Sequence, residues 1–217
     1  SNSLLNMNVL LLFAHADDES LGAGGTIPRL LNEGHQLQLI TLSEGIIRMR
    51  ETQDDNLPAY RKACEHLQLD DYQTLGYADQ QFDAFPLAEL TRGVSQALSF
   101  EPDWIITHAD TDLNKDHQIV SDIAKIIGRP RKKPVRILGC EIPCGSIWRG
   151  NPFPAQFYID ISETLPTKLK AFEQYQNEIH AYPDPFSTEG LETLAKFRGM
   201  ESGHTAAEAF QVIRWSL

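Results

Sequence analysis

Short apolar runs alternate with segments of helical periodicity along most of this chain. The runs predict strands at these ranges: 7–14, 36–42, 72–75, 104–107, 135–139, 156–161 and 210–213. The segments between and after them predict helices at these ranges: 25–33, 58–67, 87–100, 116–128, a helix through residue 175 with Ser162 as N-cap, and 189–197. This order is typical of successive βαβ units, so the predicted fold class is α/β.

Length and composition indicate one globular domain spanning residues 1–217. The chain is 41% hydrophobic and 23% charged, and no linker, repeat or low-complexity tract divides it. No apolar stretch approaches the ~20 residues that a membrane span needs, and the N-terminus lacks the pattern of a signal peptide. We therefore expect a cytoplasmic protein without a membrane span. The net charge of -11 opposes binding to nucleic acid or to anionic membranes.

Polar side chains that commonly bind metals follow two of the predicted strands. His15, Asp17 and Asp18 come directly after the first strand, and an Asp-Leu-Asn-Lys-Asp-His segment at 112–117 follows the strand at 104–107. If these two strands are parallel and belong to one sheet, both clusters lie at the same edge of it. Ligand sites of α/β proteins are found at that edge.

The residue types and their spacing favour a catalytic metal site. His15 and Asp18 are three positions apart, so in a helical turn they project to the same side, and His117 is the natural third ligand. Catalytic zinc takes three such protein ligands and keeps one position for water. Asp17, off the metal, then serves as general base. In the alternative interpretation the Asp and Asn residues cap helices, as Asn114 or Asp116 would before the helix that follows.

Both clusters resemble signatures of one enzyme family. Ala-His-Ala-Asp-Asp-Glu at 14–19 is similar to the Ala-His-Pro-Asp-Asp-Glu motif of the LmbE-like, or PIG-L, zinc-dependent de-N-acetylases, and residues 112–117 resemble the Asp-Leu-Asn-x-Asp-His motif of one bacterial branch. Further similarity is found at these positions: 44–45, 79–83, 141–143 and 207–210. The resemblance is ordered along most of the chain, which makes it more specific than either motif alone.

The resemblance implies a fold, an activity and a set of residues. The fold would be a Rossmann-like, mostly parallel sheet between two layers of helices. Zinc would be bound by His15, Asp18 and His117, with Asp17 as base, although Fe(II) also suits this donor set. The substrate would be an N-acetylated amino sugar or its conjugate, of the N-acetylglucosamine type. Asp116, beside a ligand, would orient His117.

Other site residues rest on weaker signals. In the family that residues 112–117 resemble, several members carry a histidine at the position of Asn114 that protonates the leaving amine, so the general acid here is open among Asp17, His204 and His108. His204 is a better candidate than His108, with a solvated loop histidine as its alternative. We count Asn114 among the substrate-binding residues, with Arg50 and Glu141. Glu141 has the alternative of an ion pair with an arginine. Exposed apolar residues in the segment 142–158 could contact a sugar or form a homo-oligomer interface.

Three rival interpretations remain. A dinucleotide-binding module would share the strand, glycine-rich turn and helix, but the third glycine of its fingerprint is missing at the expected place. A metal-dependent hydrolase of another amide or of an ester would have the same ligands, since fold does not fix substrate. A vestigial, non-catalytic site is disfavoured by the intact His15, Asp17, Asp18 and His117.

Overall fold

The computed structural model describes residues 6–47 and 54–216, and its centre is a seven-stranded sheet. The strands of the described part are β1 (Asn8–Phe13), β2 (Gln36–Ser43), β3 (Ile46–Ile47), β4 (Asp54–Asp55), β5 (Tyr72–Tyr77), β6 (Trp104–His108), β7 (Arg136–Cys140), β8 (Phe157–Asp160) and β9 (Ala207–Arg214). The sheet order is β5-β2-β1-β6-β7-β9-β8, and β3 and β4 form a separate antiparallel pair. The first five strands of that order are parallel, whereas β9 is antiparallel to both of its neighbours.

Helices cover both faces of the sheet. They are α1 (Asp18–Ala23), α2 (Thr26–Asn32), α3 (Leu57–His66), α4 (Leu87–Ala97), α5 (Lys115–Ile127), α6 (Pro143–Ile147), α7 (Leu165–Phe172) and α8 (Thr188–Ser202), with a 3₁₀ turn at Phe82–Ala84. None of the helices in the described ranges combines the length and the apolar composition that crossing a bilayer requires.

Strand β1 is the centre of the core because it has neighbours on every side. It pairs in parallel with β2 and with β6, and Val9 to Phe13 are fully buried. Val9 and Leu11 pack with one hydrophobic cluster that includes residues of α2, α3, α7 and α8, whereas Leu10 and Leu12 pack with another that includes residues of α4 and α5. Successive side chains of a strand point to opposite faces, so a strand covered on both faces is apolar throughout.

The predicted α/β fold is confirmed, with a mostly parallel sheet between two helical layers. All seven predicted strands and six predicted helices are present, but two local predictions are wrong. The helix expected to start at Ser162 starts at Leu165 with Thr164 as its N-cap, since the Ser162 hydroxyl instead donates to Asp160. Of the glycine-rich turn expected at Gly22, Gly24 and Gly25, the last two residues do form a turn, whereas Gly22 belongs to α1. In α1, Gly22 permits close packing, because a Cβ there would lie 2.4 Å from Cys140 Sγ. The short helix α6 was not predicted.

A buried ion pair links α7 and β9 to the segment that contains α1 and the start of α2. Lys168 Nζ lies 2.5 Å from Glu208 Oε1 and also donates to the carbonyl of Leu21 at 2.6 Å. The Glu208 carboxylate also accepts hydrogen bonds from the backbone N–H groups of Gly25 and Thr26, at the start of α2. Both charged side chains are at most 5% exposed. Removing one partner of such a pair leaves a buried charge without compensation.

We expect Lys168→Met to lower the free energy of unfolding by about 3–5 kcal/mol, measured by urea denaturation. A matched control is Lys196→Met, which removes the 57% exposed partner of the Glu192 pair on α8 and should cost at most about 1 kcal/mol. Equal losses in the two variants would contradict a structural role for the buried pair.

Candidate metal centre and active site

The two clusters of polar residues meet at the carboxyl edge of the sheet. His15 lies in the turn that leaves β1, and Asp18 begins α1. His117 lies in the first turn of α5, which follows β6. Because β1 and β6 are parallel neighbours, their carboxyl ends open on the same side, and this juxtaposition confirms the expectation from the sequence.

His15, Asp18 and His117 form a compact triangle of donor atoms. His15 Nδ1 lies 3.2 Å from His117 Nε2, His117 Nε2 lies 3.4 Å from Asp18 Oδ1, and His15 Nδ1 lies 3.6 Å from Asp18 Oδ2. Ligand bonds of ~2.0–2.1 Å in tetrahedral geometry place donor atoms roughly 3.3 Å apart. The three side chains therefore have the spacing that one small divalent ion requires.

The other ring nitrogen of each histidine faces a carboxylate. His15 Nε2 lies 3.1 Å from Asp116 Oδ2 and 3.2 Å from Asp79 Oδ1, and His117 Nδ1 lies 3.1 Å from Asp112 Oδ2. Carboxylates in this position fix the tautomer and orientation of a metal-binding imidazole. The expectation that Asp116 orients His117 needs correction, because Asp116 faces His15 and Asp112 takes the assigned role.

His108 packs against the triangle of donor atoms on the side of His117. Its ring is fully buried and stacks on the ring of His117, with centroids 3.8 Å apart and planes at 12°. His108 Nε2 accepts a hydrogen bond from the Ala14 N–H at 2.9 Å and lies 3.3 Å from Asp18 Oδ2. Burial, and next the neighbouring His117, lower the pKa of His108 to about 4. A neutral ring agrees with its role as hydrogen-bond acceptor.

Asp17 is held in an unusual backbone conformation at the entrance to α1. Its φ is +139°, a region that non-glycine residues rarely adopt. The Asp17 N–H donates to Glu19 Oε2 at 3.1 Å, and the Glu19 carboxylate in turn accepts hydrogen bonds from Tyr175 at 2.6 Å and from Ser20 at 2.7 Å. Glu19 is fully buried, so the position of Asp17 depends on this network. Burial, followed by the nearby Asp18 carboxylate, raises the pKa of Asp17.

Asn114 combines a structural role with a place in the site. Its Oδ1 accepts from the Asp116 N–H at 2.8 Å, which makes it the N-cap of α5. Its amide nitrogen donates to Gln80 Oε1 at 3.3 Å, and Gln80 Nε2 lies 3.3 Å from His15 Nε2. Asn114 therefore helps to hold the loop around the triangle, and its binding of substrate stays a prediction.

A cavity of about 530 Å³ opens above the triangle. The predicted site residues that line it are His15, Asp17, Asp18, Asn114 and His117. Its apolar wall includes Ile46, Ile142 and Phe186. The volume lies in the range of about 300–1,000 Å³ that small-molecule sites occupy.

Among the described residues, Glu141 and His204 do not line this cavity. Glu141 is paired with Arg198 through two hydrogen bonds of 2.8 Å and is absent from the cavity lining, which is the alternative that the sequence offered. His204 lies in an exposed turn, 3.5 Å from Asp160 Oδ2, and does not line the cavity either. Arg50 lies outside the described residues. The fully buried His108 is the remaining histidine candidate for general acid, and it is also absent from the lining.

Several residues of the site were missed by the sequence reasoning. Asp79 follows β5, whose carboxyl end lies at the same edge of the sheet. A carboxylate directly after that strand could have indicated a site residue. Asp112 belongs to the second motif, but its contact with His117 Nδ1 cannot be inferred from the spacing of the two residues. Tyr175 reaches Glu19 across 156 positions of sequence, and no local pattern marks such a contact.

We expect Asp112→Asn to weaken Zn²⁺ binding by about 10–100-fold, because the amide orients His117 less strongly. Competition with a coloured chelator measures the affinity. Asp122→Asn, on the exposed face of the same helix, is the matched control and should bind Zn²⁺ as the parent does. An unchanged affinity for Asp112→Asn would refute its assigned role.

Solved structures with the same fold include proteins of different activities. The conserved protein TT1542 from Thermus thermophilus matches with a TM-score of 0.78 at 22% identity, over 97% of this chain and 96% of that one. The N,N′-diacetylchitobiose deacetylase from Pyrococcus horikoshii matches with a TM-score of 0.73 at 19% identity, over 95% and 84%. GalB, the 4-carboxy-2-hydroxymuconate hydratase from Pseudomonas putida, matches with a TM-score of 0.73 at 17% identity, over 97% and 98%. At these identities the similarity establishes the fold alone.

A family model gives the more specific match. The model for PIG-L, described as GlcNAc-PI de-N-acetylase, matches residues 10–127, which is more than half of the chain. That range contains both motifs and all three members of the triangle of donor atoms. The chain therefore belongs to the PIG-L de-N-acetylase family.

Proposed function

We propose that this protein is a zinc-dependent hydrolase that removes the acetyl group from an N-acetylated amino sugar or its conjugate. The observation that carries the proposal is the triangle of His15, Asp18 and His117, at 3.2–3.6 Å, in a cavity that Asp17 also lines. Membership of the PIG-L family supports the reaction type. An amino sugar fits a cavity with both polar and apolar walls.

Zinc suits the donor set of the site. Two imidazole nitrogens and one carboxylate oxygen are typical of catalytic zinc, and each histidine has the carboxylate partner that such ligands have. Zinc held there would polarise the amide carbonyl and lower the pKa of a coordinated water from 15.7 to about 7. Fe(II) has the same donor preference and remains the alternative metal.

The side chains of the protein divide the remaining work between proton transfer and positioning. Asp17 takes a proton from the attacking water, whose oxygen forms the new bond to the acetyl carbon. The C–N bond then breaks, its electron pair stays on nitrogen, and the nitrogen receives the proton from Asp17. Acetic acid, which ionises to acetate in water, and a free amino sugar leave. We assign both proton transfers, from the water and to the nitrogen, to Asp17, because neither His204 nor His108 lines the cavity.

A hydrolase of another amide or of an ester is the second candidate. The same three ligands would serve that reaction, and the fold also carries a hydratase in GalB. Acetate release from a panel of N-acetylated sugars, with simple esters alongside, separates the two. Turnover of esters only would contradict the proposed substrate class.

We expect Asp17→Asn to lower kcat by about 10²–10⁴-fold with Zn²⁺ still bound, because the amide cannot accept the proton. The measurement pairs an acetate-release assay with a metal content determination on the same sample. Near-normal turnover with bound metal would show that another group is the base.

Removing the metal provides a second test. We expect dialysis against a chelator to abolish acetate release, and one equivalent of Zn²⁺ to restore it. Activity that survives complete removal of the metal would contradict zinc dependence.

Tyr175→Phe tests the network that positions Asp17. We expect a roughly two- to tenfold lower kcat with unchanged Zn²⁺ affinity, because one hydrogen bond of about 0.5–1.5 kcal/mol to Glu19 is lost. Tyr60→Phe is a matched control, since Tyr60 is equally buried and its hydroxyl contacts Thr41 at 3.0 Å instead. If both variants changed only the melting temperature, Tyr175 would have no positioning role.

A further inference from the structure

A second cavity lies at the opposite edge of the sheet from the triangle of donor atoms. Its lining includes Pro102, which precedes β6, and Val135, which precedes β7, so it lies where these two parallel strands begin. We call it the amino-edge cavity. Its volume of about 330 Å³ falls in the range of about 300–1,000 Å³ that small-molecule sites occupy. It shares no lining residue with the cavity above His15 and His117.

Much of the lining of the amino-edge cavity is apolar. It comes from the ends of α4 and α5 and from the loops that follow or precede the neighbouring elements. The apolar residues are Leu98, Pro102, Ile126, Ile127 and Val135. The two hydroxyl groups of the lining already donate to carbonyls within α4, from Thr91 to Leu87 at 2.7 Å and from Ser95 to Thr91 at 2.9 Å.

The polar part of the lining is strongly basic. The segment 129–133, Arg-Pro-Arg-Lys-Lys, holds four of the chain's 19 lysines and arginines, and all four line the cavity. Glu101 is the one carboxylate among the lining residues. This surface is therefore cationic in a protein whose net charge is -11.

The two lysines hold the basic segment against the loop before β6. Lys133 Nζ lies 2.6 Å from Asp103 Oδ1 and also donates to the carbonyl of Glu101 at 3.3 Å. Lys132 forms an ion pair with the Glu101 carboxylate. These contacts fix both sides of the cavity relative to each other.

The two arginines lack such partners. In the part of the chain that the structure describes, no carboxylate forms an ion pair with Arg129 or Arg131, and both residues are exposed. Their like charges lie two positions apart, beside the two lysines. A bound anion would offset this repulsion, so the arginines are the donors available to a ligand.

Stabilisation of a helix end accounts for only part of this charge. Arg129 directly follows Gly128, the C-cap of α5, where a cation interacts favourably with the helix dipole. Lys125 already occupies the last turn of the same helix. Neither effect explains why Arg131 faces the same cavity.

The combination of cations and apolar side chains selects the class of ligand. The arginine guanidinium matches the oxygen atoms of a phosphate group with paired hydrogen bonds, whereas the apolar lining suits a carbon body. A nucleic-acid strand is a poorer occupant, because a polyanion would extend beyond the cavity over a protein of net charge -11.

We propose that the amino-edge cavity is a binding site for a small organic phosphate, whose phosphate group is held by Arg129 and Arg131 and whose carbon body packs on Ile126 and Ile127. This site is separate from the proposed reaction, and it stands or falls by binding alone.

The test is isothermal titration of the full-length, zinc-loaded protein with adenosine 5′-diphosphate and, separately, with decyl phosphate below its micelle concentration. The double variant Arg129→Gln/Arg131→Gln should weaken binding at least about tenfold, since charge-assisted hydrogen bonds are lost. The double variant Arg61→Gln/Arg92→Gln is the matched control. It changes the net charge equally at two exposed positions outside the cavity, and it should bind within about twofold of the parent.

The two probes distinguish the sources of such a ligand. Binding of the diphosphate indicates a nucleotide, and binding of decyl phosphate indicates a lipid-like phosphate; either supports the site. Inorganic phosphate should bind at least about tenfold more weakly than the better probe, because it buries no apolar surface.

Four results would overturn the proposal. They are no binding of either organic probe at millimolar concentration, equal weakening in both double variants, binding that Arg129→Gln/Arg131→Gln leaves unchanged, and inorganic phosphate binding as tightly as the organic probes. A short single-stranded oligonucleotide that binds more tightly than the diphosphate would also contradict it, and would identify the basic segment as a nucleic-acid contact.

Discussion

The parallel pairing of β1 with β6 is the constraint on which the site depends. The register Leu11↔Ile106 places the ends of these strands side by side, and the Ala14 N–H is bonded to His108 Nε2 just beyond them. His15 and His117 are 102 positions apart in sequence, yet their ring nitrogens lie 3.2 Å apart. Both strands lie in the interior of the sheet, so the donor triangle stands at the ends of strands that have a neighbour on each side.

This arrangement concentrates charge where water is scarce. Asp18, Asp112 and Asp116 are each at most 5% exposed and surround two histidines. Burying several carboxylates together is costly unless cations or hydrogen bonds compensate for them. A divalent ion would supply the largest compensating charge at that place. Backbone N–H groups compensate for part of the rest, as the Phe82 N–H does for Asp116 at 3.1 Å. The concentration of buried carboxylates that lowers the stability of the fold therefore also suits the site to holding a metal ion.

Much of the fold and the metal triangle could be predicted from local sequence, because apolar runs mark buried strands and ligand-type residues follow two of them. The rest depends on contacts between distant segments. Glu141 stands at a strand end, as a site residue would, but Arg198 binds it from a helix 57 positions away. Tyr175 carries no motif, and its contact with Glu19 appears only once α7 has packed against α1. His204 precedes the family-like segment 207–210, but its side chain is exposed and lies beside Asp160 rather than at the site.

The proposed chemistry depends on one ion being shared by the β1 and β6 ends of the sheet. The most direct test is a crystal of the Zn²⁺-loaded protein measured on both sides of the zinc absorption edge. We predict a single strong anomalous peak at about 2.0–2.2 Å from His15 Nδ1, from His117 Nε2 and from a carboxylate oxygen of Asp18. A peak bound elsewhere, or none at this triangle in crystals grown with excess zinc, would contradict the central claim.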